Sequence, residues 1–239
     1  EPNKGDVFYD IEGFPQADQR PFEYLHGIYF YNGKEFEFKD FTVKDFTKAE
    51  EEKIFKQLIE FLEKHFDKYP KAYLYHYNDY EKRALRELAS DYSATFIKGN
   101  NFIDKLLRLE KFVDLYRVVS QCMQTSEKDL SLKSIEKFYR DERSADIKTA
   151  DDSIRLFESW LITKNDKDLK DVIAYNEEDC ISTYDLREFL IKNRPKDFPF
   201  FKLSFEEEFK NADVKDFELK ESALQLKVIG NLKDDDEEV

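Results

Sequence analysis

The chain opens with an apolar run that ends in two acids one residue apart, Phe8-Tyr9-Asp10-Ile11-Glu12-Gly13. Side chains at i and i+2 of a strand point to the same face, so a strand here sets Asp10 and Glu12 side by side. Two adjacent carboxylates repel each other, and burying them without a partner costs free energy. A bound divalent cation or a solvated strand edge satisfies such a pair. A lone Asp-x-Glu is ordinarily surface decoration, so the remainder of the chain must decide between these readings.

Apolar and aromatic periodicity predicts an α/β fold with a mixed sheet and a helical second half. Strands are predicted over residues 6–12, 24–31, 34–41 and 72–77, and helices over residues 47–69, 80–92, 131–136, 152–161 and 168–193. Asn32-Gly33 predicts a two-residue hairpin turn between the second and third strands. Thr47 is a predicted N-cap, and residues 112–115 favour a short strand or a turn into a helix.

Composition indicates one large domain and a charged appendage. The 239 residues are 41% hydrophobic and 16% aromatic, which is enough for a packed core. We predict one domain over residues 1–195, and a charged helix or linker with an acidic tail over residues 196–239. The chain does not begin with Met, which indicates an excised or processed piece.

The cysteines and the hydropathy of the chain indicate its cellular location. Cys122 and Cys180 match no metal-site spacing and are expected to be reduced thiols of an intracellular, cytoplasmic protein. No apolar stretch approaches the ~20 residues that a membrane span needs, so no membrane partner is expected.

Acids recur at three places that a mixed sheet can gather. They are Asp10 and Glu12 on the first strand, the junction His76–Glu81 after the fourth strand, and Asp179 on the last helix. Tyr175 and Asp179 are spaced i and i+4, so they share one helical face. Two hard divalent ions about 4 Å apart, Mg²⁺ or Mn²⁺, take such oxygen ligands and bind a scissile phosphate. A net charge of −14 disfavours a broad nucleic-acid-coating surface but permits this kind of contact.

These motifs resemble the DEDD exonucleases of the ribonuclease H-like superfamily, in their tyrosine (DEDDy) form. Asp10 and Glu12 match the first motif, and Tyr175 and Asp179 match the third. The second motif aligns Glu81, where the family normally has Asp, and Asp79 at the same junction is the competing ligand. The resemblance implies a mixed sheet of three antiparallel strands followed by alternating helices and strands. It also implies two Mg²⁺ or Mn²⁺ ions and 3′–5′ exonuclease activity on DNA or RNA.

A narrower resemblance covers about residues 5–192. The stretches GDVFYDIEG, YHYNDYEKRAL, SLKSIEKFY and AYNEEDCISTYDLREFL are similar to the YprB-type ribonuclease H-like domain of RecB-like putative nucleases. In that family the domain commonly lies between a Cas4/RecB-type nuclease domain and a helicase, so these are expected partner domains. The alternative function is a non-catalytic module that binds or scaffolds for such a partner. The choices between DNA and RNA, single and double strands, and exonuclease and endonuclease stay open.

Several other polar residues have structural interpretations. Asp114 is a possible ligand or neighbour of the metal site, although an N-cap role is favoured for it. His76 is expected in the core or beside the ligands. Lys133, Lys137 and Arg140 could contact phosphate, but an ordinary basic helix face is the preferred interpretation. No nucleic-acid-binding residue is assigned.

Overall fold

The computed structural model describes residues 1–17, 19–141, 149–197 and 199–200. Five strands and seven helices occur in these residues. In chain order they are β1 (Val7–Phe14), β2 (Phe22–Tyr31), β3 (Phe36–Thr42), α1 (Lys48–Lys68), β4 (Leu74–His76), α2 (Tyr80–Asp91), α3 (Ile97–Arg108), β5 (Phe112–Asp114), α4 (Leu115–Cys122), α5 (Leu132–Glu136), α6 (Ala150–Thr163) and α7 (Asp166–Asn193).

The strands form one mixed sheet in the order β3-β2-β1-β4-β5. The first three strands are antiparallel neighbours, whereas β4 and β5 run parallel to β1. Asp10 lies opposite Gly27 of β2 in the register. This arrangement confirms the predicted fold class and places β1, with its two acids, at the centre of the sheet.

Alternation along β1 sends its residues to two packed faces. Val7, Tyr9 and Ile11 join the larger hydrophobic cluster, which also contains residues of α1, α2 and α3. Phe8 joins a second cluster with Leu186 of α7. Because side chains at i and i+2 share a face, the acids of β1 follow Phe8 rather than its neighbours.

The connection between β2 and β3 differs from the predicted two-residue turn. It spans four residues, 32–35, and the Asn32 side chain accepts hydrogen bonds from the backbone N–H groups of Lys34 and Glu35. Gly33 adopts φ of +115°, a conformation that glycine permits without strain. The Asn-Gly signal therefore predicted the position of the hairpin but not its loop length.

The start of α1 and the end of α7 lie where the sequence predicts them. Thr47 caps α1 by accepting a hydrogen bond from the Glu50 N–H at 3.3 Å. The last helix, α7, ends at Asn193, just before Pro195. The predicted boundary at residue 195 stays a prediction, because the predicted C-terminal segment lies almost wholly outside the described residues.

Candidate metal centre

The first two carboxylates of the site come from adjacent same-face positions of β1. Glu12 is buried and Asp10 is half-buried. The pairing of β1 with β2 shifts register between Glu12 and Gly13, so the acids stand where the regular ladder ends. The central strand thus carries two acids inward, as its alternation predicts. The negative charge of each acid must be offset by hydrogen bonds, protons or cations.

Glu12 is held by two hydroxyl groups. Ser153 Oγ, on α6, donates to Glu12 Oε2 at 2.9 Å. The Tyr24 hydroxyl lies 3.0 Å from Ser153 Oγ and 3.5 Å from the same carboxylate oxygen. Burial raises the pKa of Glu12 to about 8, and the nearby negative charge of Asp179 adds to the effect. The Ser153 hydrogen bond, the Lys133 charge and the Tyr24 hydroxyl oppose that rise in pKa.

The third carboxylate is that of Asp179, which is buried on α7. Asp10, Glu12 and Asp179 each offer a carboxylate oxygen, and these three oxygens all lie within 4.8 Å of one another. The structure therefore brings together acids that are up to 169 residues apart in the chain. Three carboxylates at this separation repel strongly unless protons or cations are present.

Asn176 was given no role by the sequence reasoning, yet it fixes Asp10. Its Nδ2 donates to Asp10 Oδ2 at 2.7 Å, and the residue is fully buried. Its Oδ1 lies against β2, where a Cβ added to Gly27 would approach within 1.7 Å. Asn176 lies three residues before Asp179, so their shared helical face was the signal that could have identified it.

Tyr175 lies on the same helix and is buried. Lys133 Nζ, from α5, donates to the Tyr175 hydroxyl at 2.5 Å and lies 4.4 Å from the centre of its ring. The favoured interpretation of Lys133 as part of an ordinary basic helix face was therefore wrong. Lys137 and Arg140, by contrast, form ion pairs with acidic side chains. No local sequence pattern connects α5 with Tyr175, so only the tertiary fold shows this contact.

Glu81 is buried in the first turn of α2, but it does not belong to the group of three carboxylates. Its Oε2 lies 3.5 Å from His76 Nδ1, beyond a normal hydrogen bond, and Nδ1 bonds the Asn78 carbonyl oxygen at 2.6 Å. Burial raises the pKa of Glu81, and the neighbouring His76 opposes the rise. Glu81 is thus an inward-facing acid that retains an unsatisfied oxygen among the described residues.

The two alternative acids have different surroundings. Asp79 is exposed and occupies the N-cap position of α2, without a capping hydrogen bond from its side chain. Asp114 caps α4, because its Oδ1 accepts from the backbone N–H groups of Tyr116 and Asn78, both at 2.9 Å. The N-cap interpretation of Asp114 is therefore confirmed.

The comparison with protein families agrees with this combination of sheet and acids. A family model described as the RNase H superfamily matches residues 7–191, which is most of the chain. The chain belongs to the RNase H superfamily. No curated protein and no solved structure matches it. Within the described part of the chain, no helix is long and apolar enough to cross a bilayer.

The residues of this RNase H superfamily member fit a hard divalent cation. Asp10, Glu12 and Asp179 provide oxygen ligands at mutually close positions, which is the donor set that Mg²⁺ and Mn²⁺ prefer. Burial, and then the negative charge of Asp179, raise the pKa of Glu12, and a bound cation would offset both effects. The superfamily and this cluster together fit a metal-dependent nuclease.

Proposed function

We propose that the chain is a DEDDy-type 3′–5′ exonuclease that hydrolyses phosphodiester bonds of DNA or RNA, most similar to the YprB-type domain of RecB-like nucleases. The observation that carries the proposal is the convergence of Asp10, Glu12 and Asp179, with Tyr175 one helical turn from Asp179. An acid pair at the surface would be solvated, whereas Glu12 is buried, Asp10 is half-buried, and the neighbouring Asp179 is buried as well. Such burial of like charges is typical of a site that binds cations.

The proposed ligands of two Mg²⁺ or Mn²⁺ ions are Asp10, Glu12, Glu81 and Asp179. When bound, the ions supply activation of water and stabilisation of the leaving oxygen. Glu81 is preferred over Asp79 as the second-motif ligand, because Glu81 is buried with an unsatisfied oxygen and Asp79 is exposed.

The chain's own residues orient the reacting groups. Asn176 fixes the Asp10 carboxylate and Ser153 fixes that of Glu12, so neither acid must be immobilised when substrate binds. Lys133 donates a hydrogen bond to the Tyr175 hydroxyl oxygen, and in this proposal the Tyr175 hydroxyl orients a water beside the phosphate. Two helices that are distant from β1 in the sequence, α5 and α6, therefore complete the site.

The test uses single-stranded and duplex DNA and RNA, labelled at each end in turn, with Mn²⁺ or with EDTA. We expect progressive shortening from the 3′ end and release of nucleoside 5′-monophosphates, both abolished by EDTA. Asp10→Ala should abolish hydrolysis with little loss of thermal stability. Asp40→Ala, an exposed acid of the same sheet, is the matched control and should retain activity.

Two outcomes would overturn this assignment. Normal turnover by Asp10→Ala would remove the carboxylates from the mechanism. Absence of both ion binding and hydrolysis in the unaltered protein would instead support the non-catalytic, scaffolding module. A helicase, a Cas4/RecB-type nuclease domain and a cytoplasmic location remain part of the proposal, to be tested by co-purification and fractionation.

A further inference from the structure

A cavity lies at the carboxyl ends of β4 and β5. Its volume is about 450 Å³, which is within the range of small-molecule sites. Its walls include the last residue of β4, His76, and the first turns of α2 and α4. We call it the β4–β5 cavity. Because His76 also contacts Glu81 at 3.5 Å, the cavity adjoins the proposed ligand of the second motif.

The lining of this cavity combines two helix N-termini, two cationic side chains and two acids. Lys82 lies in the first turn of α2 and Arg117 in the first turn of α4, and both line the cavity. Neither forms an ion pair with a side chain of the described residues. The N-terminal ends of both helices add partial positive charge. Of the two acids that line the cavity, Asp114 already accepts two backbone hydrogen bonds, whereas Asp79 is exposed.

One residue that lines the cavity has a buried polar atom without a partner among the described residues. His76 is 1% exposed, and its Nε2 makes no hydrogen bond there. Its Nδ1 bonds the carbonyl oxygen of Asn78, which can only accept, so Nδ1 carries the proton. In the neutral ring Nε2 therefore presents a lone pair, which a hydroxyl or amine of a ligand can satisfy.

Aromatic side chains also line the cavity. Phe112 and Tyr116 line the same cavity, and an aromatic ring is a stacking surface for any base. An anion alone would use the cations and helix ends but would leave Nε2 of His76 unsatisfied. A nucleotide has a phosphate, a flat base, and a sugar hydroxyl or base amine.

We propose that the β4–β5 cavity is a nucleotide subsite, with the phosphate between Lys82 and Arg117 and the hydroxyl or amine donating to His76 Nε2. As a subsite for the strand, it rests on the proposed nuclease function. The nucleotide in it is the neighbour of the one whose phosphodiester lies at the carboxylates. A free nucleotide has the same chemistry, so the experiment must separate a strand from a mononucleotide.

The first measurement is the affinity of a fluorescent single-stranded pentanucleotide in EDTA, as a function of salt, by fluorescence anisotropy. The full chain is compared with Lys82→Ala/Arg117→Ala and with the control Arg86→Ala/Lys105→Ala, which removes equal charge outside the cavity. Loss of two phosphate contacts should weaken binding about tenfold at low salt and reduce the salt slope by about 1.4. Equal losses in both double variants would overturn the subsite.

The second measurement follows the imidazole nitrogens by NMR, which is practical because the chain has three histidines. The pentanucleotide should shift His76 Nε2 at lower concentration than AMP does, which identifies the strand as the source. A shift at lower concentration with AMP would identify a free nucleotide. Sulfate has no donor, so a shift with sulfate as large as that with AMP would overturn the proposal.

Both measurements are made without divalent ions and without hydrolysis. Failure of the nuclease assay therefore leaves the binding result standing, and failure of the binding result leaves the carboxylate assignment standing. The two proposals are thus separately testable, although the subsite can bind part of a substrate strand only if the chain is a nuclease.

Discussion

Metal binding at the candidate centre should release a proton from Glu12. Burial raises the pKa of this carboxyl to about 8, so it is mostly protonated in the metal-free protein at neutral pH. A protonated carboxyl is a poor ligand, and a cation must displace the proton before Glu12 can coordinate it. The affinity for Mn²⁺ should therefore rise with pH until the carboxyl is ionised.

The sign and size of this dependence follow from the two protonation states. About 3% of Glu12 is ionised at pH 6.5 and about 76% at pH 8.5, so the Mn²⁺ affinity should rise about 25-fold between them. Above pH 9 the curve should level off, because no proton remains to be displaced. A carboxylate with an ordinary pKa would give a flat curve over the same interval.

The assay is calorimetric titration with Mn²⁺ under argon, in two buffers of different ionisation enthalpy at each pH. The buffers should report release of about one proton per binding event at pH 6.5 and about a quarter at pH 8.5. Ser153→Ala removes a hydrogen bond that favours the ionised carboxylate, so its curve should move to higher pH by about one unit. A flat affinity from pH 6.5 to 8.5, with no proton release, would refute this account.

Three further substitutions test the surroundings of the centre. Gly27→Ala places a Cβ 1.7 Å from Asn176 Oδ1, so stability should fall by about 1–3 kcal/mol in urea unfolding and Mn²⁺ affinity should fall in calorimetry. Burial raises the pKa of Glu23 from 4.5 to about 8, so ionisation of this carboxyl lowers the stability of the wild-type protein as pH rises from 4.5 towards 8. In urea unfolding, Glu23→Gln should therefore be the more stable protein at pH 9, by on the order of 5 kcal/mol, and similar at pH 4. Lys133→Met should lower kcat about 10- to 100-fold with little change in KM, and Lys133→Arg should partly restore it, because the lysine acts through Tyr175.

Local periodicity was sufficient for the fold class and for the positions of the main acids, but it did not predict α3. A strand period of two predicted that Asp10 and Glu12 share a face, and a helical spacing of four predicted the same for Tyr175 and Asp179. Both rules depend on near neighbours in the chain, and the structure follows them. The α/β order of elements then restricted how a strand and a distant helix could meet at the sheet.

The residues that support these acids could not be predicted in the same way. Ser153 and Lys133 lie on α6 and α5, and their roles depend on where those helices pack against the sheet. Neither has a spacing relation to Glu12 or Tyr175, so no period in the sequence identifies them. The predicted length of the hairpin loop was wrong for a related reason. The Asn32 side chain bonds two backbone N–H groups beyond it, which stabilises four residues instead of two.

The supporting residues account for how three close acids can fold before any cation arrives. Three ionised carboxylates within 4.8 Å would oppose folding, but a proton on Glu12 removes one charge. Asn176 donates a hydrogen bond to Asp10, and the positive charge of Lys133 offsets part of the negative charge beside Glu12. The site therefore forms before a cation binds, with a proton on Glu12 in the place of part of the cation's positive charge. Exchange of that proton for a cation should change the geometry little, because Asn176 and Ser153 already hold the Asp10 and Glu12 carboxylates by hydrogen bonds.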